Sequence, residues 1–119
     1  MATSKTYTKN IDAAGKSLGR VASEAAKALM GKTHVDYTPN IRSDVKVTIT
    51  NAGKLSVREK KLVQTKFLRY TGYPGGLKSE SLQQLNARKP TEALRQAVER
   101  MLPRNTLRTG RLKNLNISL

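Results

Sequence analysis

Gly15-Lys16-Ser17 sits where a phosphate-binding loop would sit, between a strand pattern and a helix pattern. A nucleotide-hydrolase loop needs a further glycine five residues before Gly15, and Asn10 stands there. The intervening Ile11-Asp12-Ala13-Ala14 is not glycine-rich, so it cannot wrap backbone N–H groups around a triphosphate. Nor does a second apolar run end in an Asp that would hold Mg²⁺. One backbone phosphate asks for less, and Lys16 beside a helix N-terminus meets that demand.

Gly72-Tyr73-Pro74-Gly75 matches a GxxG loop on paper. Such a loop joins two helices, and Pro74 with its poorly helical flanks argues against one. The simpler expectation is a tight turn with positive φ that still presents Tyr73 to a base. His34 is the single histidine, so it reads as a surface or packing residue rather than a catalyst. The eight acids are scattered. Asp12, near a strand end, is the one to check for catalysis, although bonding of nearby turn amides accounts for it more simply.

Phe67, Tyr70 and Tyr73 lie among Lys60, Lys61, Lys66, Arg69 and Lys78. Cations interleaved with rings suit RNA, whose unstacked bases lie on aromatic faces. Phe67 is the ring expected to pack inward.

The whole composition points the same way. In 119 residues, 23 Lys and Arg face 8 Asp and Glu, a net charge of +15. A domain this basic repels itself unless a polyanion neutralises it, and nucleic acid does so by releasing counterions. A membrane surface is the competing polyanion, but neither amphipathic stretch carries Trp or Phe on its apolar face, so no membrane partner is expected. The charge is one-sided: nine basic residues between Lys54 and Lys89 meet only Glu59 and Glu80, and no acid follows Glu99. The absence of Cys excludes disulfides and thiolate metal sites. The length suggests one domain over 1–119, and the expectation is a small, soluble, intracellular protein.

The elements that must position these residues follow from periodicity. Tyr7 to Ala13 reads as a strand with Tyr7, Lys9 and Ile11 on one face. Leu18, Val21, Ala22, Ala25 and Leu29 form one stripe of a helix from Ser17 to Met30, capped by Ser17 and ended by Gly31. Arg20 and Glu24, spaced i and i+4, share its wet face. Thr33 to Ser43 reads as a loop. Val45, Val47 and Ile49 alternate in the clearest strand, and Leu55 to Val57 suggests a short return strand. A short helix is expected over Lys60 to Lys66, with Phe67 to Tyr70 and Leu77 to Leu82 either strand-like or irregular. Leu94, Ala97, Val98, Met101 and Leu102 mark the best amphipathic helix, between Pro90 and Pro103. A helical turn over Thr106 to Lys113 and a strand over Leu115 to Leu119 close the chain. Strand–helix–strand at the start implies a βαβ unit and a parallel sheet.

Several blocks resemble the bacterial family of large-subunit ribosomal protein thirteen. They are 12–23 (Asp-Ala-Ala-Gly-Lys-Ser-Leu-Gly-Arg-Val-Ala-Ser), Gly31-Lys32 with Tyr37-Thr38-Pro39, Val47 to Ala52, Gly72 to Lys78, and Ala97-Val98 with Met101 to Asn105. They occur in the family's order along nearly the whole chain. The resemblance implies an α/β fold, a three-layer α/β/α domain with a small, mostly parallel sheet of about four strands. It implies a structural protein of the large subunit that binds large-subunit rRNA, supports assembly and touches neighbouring large-subunit proteins. No enzyme activity, cofactor or small-molecule substrate comes with it. The Gly15-Lys16 turn, the 66–78 segment and the 103–113 segment are the implied RNA-facing parts. Departures from the family pattern are Ser43-Asp44 for Gly-Asp, the missing Thr-Gly before Lys60-Lys61, Tyr70 where many members carry His, and an end at Leu119 without the His- and Pro-containing tail. Contacts of that tail are not carried over.

Phosphate contacts are thus expected from Lys16, Arg20, Lys60, Lys61, Lys66, Arg69, Lys78, Arg104, Arg108 and Arg111. Tyr70 and Tyr73 are expected to stack on bases, and Asn105 to bond a backbone or base edge. Two other classes share the charge signature: a free regulatory mRNA- or DNA-binding protein, and an enzyme acting on nucleotides or RNA. No recognition helix or dimer seam supports a DNA reader, and Asn10 counts against the enzyme.

Overall fold

Strand alternation and helix periodicity meet in one apolar core. The computed structural model describes residues 7–35, 37, 39–42 and 44–119. Of the expected loop over 33–43, Asp36, Thr38 and Ser43 lie outside the described residues, as do residues 1–6. Strand β1 (Tyr7–Asp12) runs into helix α1 (Leu18–Met30) and then β2 (Val45–Thr50). A 3₁₀ turn at Ala52–Lys54 leads to α2 (Glu59–Gln64), β3 (Lys66–Tyr70), β4 (Leu77–Ser81) and α3 (Leu82–Arg88). Helices α4 (Glu92–Met101) and α5 (Leu107–Leu112) precede β5 (Leu115–Ile117).

The expected α/β class and small parallel sheet are present. The parallel sheet has three strands in the order β1-β2-β5, and β3 and β4 form a separate antiparallel pair. In register, Tyr7, Lys9 and Ile11 lie beside Val45, Val47 and Ile49, and Val47 and Ile49 lie beside Leu115 and Ile117. That face is covered by α1 and α4, which contribute Leu18, Val21, Ala22, Ala25, Leu29, Leu94 and Val98 to the core. The four alanines of α1, Ala22, Ala25, Ala26 and Ala28, are all buried, which lets α1 pack close to the sheet and α4. The opposite face of the sheet carries Thr8, Asn10, Lys46, Thr50 and Asn116, all exposed. The helical layer of the described residues thus lies on one face of a sheet whose other face is polar.

A second, smaller cluster joins Leu82, Leu85 and Ala93, with Val57, Leu62 and Phe67 packed against it. It holds α2, the β3–β4 hairpin and α3 as a lobe inserted between β2 and α4. Helix α3 was not expected from periodicity, because only Leu82 and Leu85 mark its buried side. Its signal is a capping box: Ser81 Oγ accepts from Gln84 N at 3.3 Å, and Gln84 Oε1 accepts from Ser81 N at 3.1 Å. The molecule measures 52 × 37 × 17 Å. Its radius of gyration, 15.9 Å, exceeds the roughly 13–14 Å of a rounded chain of this length, as an outlying lobe requires.

Two helix details differ from expectation. Ser17 occupies the N-cap position of α1, but its side chain makes no capping bond. Met101, on the expected apolar stripe of α4, is exposed, whereas Leu102 beside it is buried in the core. Gly31 ends α1 in the left-handed region at φ 82°, as expected.

Candidate nucleic-acid interface

The clearest basic site is built by two loops that run side by side. Gly15, at φ +72°, turns the chain out of β1. Its N–H donates to Lys54 O at 3.0 Å, and Ser56 N donates to Lys16 O at 2.9 Å. The expected return strand at Leu55–Val57 is thus a single parallel bridge, Ser17 to Ser56. This pairing brings the start of α1 against the start of α2. Between them lies an open groove of about 810 Å³ lined by Gly15, Lys16, Ser17, Arg20, Glu24, Ser56, Arg58 and Lys61. Four cations meet one carboxylate there, and that carboxylate already pairs with Lys9 Nζ at 3.7 Å. The i, i+4 pair expected between Arg20 and Glu24 is therefore replaced by a strand-to-helix pair, which leaves Arg20 to the groove. Without a Ser17 cap, the first amides of α1 add to the positive potential at this end.

Arg58 also lines the groove, although no sequence pattern marks it. Its proximity to Lys16 comes from the backbone bridge, which no local pattern encodes. Lys16, Arg20 and Lys61 from the expected set converge here. Lys60 is exposed on α2 but does not line this groove.

Asp12 lies beside the groove in a structural role. Its Oδ1 accepts from Ala14 N at 3.0 Å and from Asn51 Nδ2 at 2.9 Å. These bonds, with Lys16 and Lys54 nearby, hold its carboxyl below the usual aspartate range. Asn51 is held in the left-handed region at φ 58°, and the hydrogen bond its side-chain amide donates to Asp12 joins the ends of β1 and β2. His34 stacks on Tyr7 with ring centroids 3.8 Å apart, the packing reading of that histidine.

The hairpin carries the second set. Gly72 and Gly75 adopt φ of +90° and +74°, and Gly76 N donates to Tyr73 O at 2.9 Å, closing the expected tight turn between β3 and β4. Register places Arg69 directly opposite Lys78. Like charges facing each other across a strand pair destabilise it, and a polyanion between them removes that cost. Tyr70 and Tyr73 are exposed, at 65 % and 75 %. Phe67 is half-buried in the small cluster, with the Arg100 guanidinium 5.8 Å from its ring centroid. Lys66 is exposed, and its strand register sets it on the same side as Leu68 and Tyr70.

The third segment is less uniform. Arg104 is exposed before α5. Asn105 Oδ1 accepts from Leu107 N at 3.1 Å, so the carbonyl end of this side chain starts α5 rather than reading a base. Arg108 lies 4.0 Å from Glu99 and is half-buried. Arg111, expected on a phosphate, is instead 2 % exposed, so its guanidinium does not lie on the surface. The six-residue α5 turns Leu107 and Arg111 to the same inward side, a consequence of helix placement that charge counting cannot reveal. Its Nε has no hydrogen-bond partner among the described residues.

No group of three or more metal-ligating side chains occurs among the described residues. No described helix is long and apolar enough to cross a membrane.

Comparison with known proteins adds an independent line. A family model described as "Ribosomal protein L13" matches residues 7–118. Proteins named "Large ribosomal subunit protein uL13" are similar throughout. The one from Aquifex aeolicus is 46 % identical over 107 residues, covering 90 % of this chain and 74 % of its own length. The one from Thermus thermophilus is 44 % identical, covering 90 % and 76 %. The one from Nitrosococcus oceani is 42 % identical, covering 90 % and 75 %. With the family model spanning nearly all of it and relatives above 40 % identity along most of their length, the chain belongs to the ribosomal protein L13 family.

Proposed function

We propose that this protein is a structural constituent of the large ribosomal subunit in the cytoplasm, where residues 1–119 act as one unit that binds large-subunit rRNA and supports subunit assembly. The observation that carries the reading is the convergence of Lys16, Arg20, Arg58 and Lys61 on one open groove. Four cations from two loops and two helix starts form a fixed polycation, suited to phosphates spaced along a backbone rather than to one small ligand. The hairpin supplies a second contact of another kind, with Arg69 and Lys78 for phosphates and Tyr73, in its turn, for a base that is out of the stack. Lys60, Lys66 and Arg104 extend the positive field around these two sites. RNA segments that repel one another can share such a surface, so the protein acts by holding them together.

The protein is read as non-catalytic. The carboxylate nearest the groove, Asp12, is committed to Ala14 and Asn51. The free regulatory RNA- or DNA-binding protein is the reading not favoured, because family membership ties the chain to the large subunit. A sucrose gradient of native lysate with a high-salt wash tests the proposal. The protein is expected to stay with the large subunit through the wash. Migration at the top of the gradient even at low salt would overturn the ribosomal reading.

A further inference from the structure

The β3–β4 hairpin has two chemically different faces. In an antiparallel pair, directly opposite residues project to the same side. The register therefore sets Phe67, Arg69, Lys78 and Glu80 on one face and Lys66, Leu68, Tyr70, Leu77, Ser79 and Ser81 on the other. The first face is anchored at its base, where Phe67 packs in the small cluster and Glu80 accepts from Arg88 at 2.7 Å. Its outer end, Arg69 and Lys78, is basic. The second face is turned away from the cluster. Leu68, Tyr70 and Leu77 are 62 %, 65 % and 64 % exposed, and Lys66 at one end is its only charge.

An exposed, nearly uncharged apolar face is out of character in a chain of net charge +15. Phosphates are drawn to the Arg69–Lys78 side and gain nothing from Leu68 and Leu77, which lack both charge and a ring to stack on. Size decides between the remaining occupants. Strands of five residues give a face about 17 Å long and two strands wide, a few hundred Å² in all. A self-standing complex buries roughly 800 Å² per partner, so this patch is too small to hold a second copy of the chain in free solution. It is large enough for a contact between two proteins whose positions are already fixed on the same RNA, where effective concentration supplies the rest.

We infer that the Leu68/Tyr70/Leu77 face docks against an apolar surface of a neighbouring protein bound to the same rRNA, while the Arg69/Lys78 face lies on the RNA. The inference rests on the rRNA-binding reading above and adds a partner and a direction to the hairpin. The hairpin then acts as a wedge that joins RNA on one side to protein on the other.

Photo-crosslinking in assembled large subunits tests this. Two full-length variants, Leu77→benzoylphenylalanine and Lys78→benzoylphenylalanine, place the same probe on opposite faces. The Leu77 probe is expected to give an RNase-resistant, protease-sensitive product that maps to another large-subunit protein. The Lys78 probe is expected to give an RNase-sensitive product. A Leu77 product that is RNA, that is a second copy of this chain, or that fails to form overturns the inference. If neither variant enters the large subunit while the wild type also stays outside it, the rRNA-binding reading itself has failed, which is a different result. A second pair of measurements uses Leu68→Ser with Leu77→Ser. This double variant is expected to bind naked large-subunit rRNA as the wild type does, yet to wash off assembled subunits several-fold more readily. Equal retention in both cases would contradict a protein contact at this face.

Discussion

Strands β2 and β3 are of similar length but live in opposite surroundings. In β2, Val45, Val47 and Ile49 are buried between two neighbouring strands under α1 and α4. In β3, only Phe67 reaches a core, and Lys66, Leu68, Arg69 and Tyr70 are all exposed. The first strand is made by burial and the second by pairing alone, helped by a tight turn and an anchored base. An isolated two-stranded hairpin is marginal in water. The sheet region is the scaffold, while the lobe over 57–91 carries exposed residues that its own folding does not explain. Such residues need a partner to account for them.

Truncations should separate the two cores by their effect on stability. Leu29→Ala, in the main core, should cost about 2–5 kcal/mol of global stability in urea unfolding. Leu85→Ala makes a similar hole in the small cluster. It should speed hydrogen exchange across 57–91 while the α1 amides keep their protection. Exchange rising equally in both regions would mean that the lobe and the sheet open as one unit.

A smaller effect with an unusual sign is expected at the hairpin. Arg69→Ala removes the like-charged neighbour of Lys78, so the free protein should gain about 0.2–1 kcal/mol while its affinity for rRNA falls. Loss of stability on this change would show that Arg69 has a structural partner. Tyr70→Ala, at an exposed site, should move stability by less than about 0.5 kcal/mol.

The smallest effect is expected at Asp12, where the folded state holds the carboxyl below its ordinary value. Its contribution is fully present above the unfolded value, about 3.9, and is lost as pH falls through the lower folded value. Wild type should therefore lose more stability on acidification from pH 6 than Asp12→Asn does. Parallel acid profiles would remove Asp12 from the link between β1 and β2.

Burial also decides which elements leave a pattern in the sequence. Helices α1 and α4 and strand β2 announced themselves because burial of one side leaves a period in the residues. Strands β3 and β4 show only a weak alternation, because burial reaches no further than the base of the hairpin, at Phe67 and Glu80. Helix α3 was hidden by its length, although Ser81 and Gln84 carried a capping signal that was legible. The site divides in the same way. Lys16, Arg20 and Lys61 could be proposed from charge and turn position. Arg58 could not, since the Ser56–Lys16 bond that brings it to the groove is non-local. Arg111 shows the converse: its charge suggested the surface, and the placement of α5 buried it.

If the groove and the hairpin are two separate phosphate-binding sites, the salt dependence of binding to large-subunit rRNA reports each of them. Each phosphate contact adds roughly 0.7–0.9 to the log–log slope. Arg58→Ala with Lys61→Ala should flatten the slope by about 1.5, Arg69→Ala with Lys78→Ala by about 1.5, and the quadruple variant by about 3. Slopes equal to wild type in both double variants would place the RNA on another face of the molecule and contradict the account.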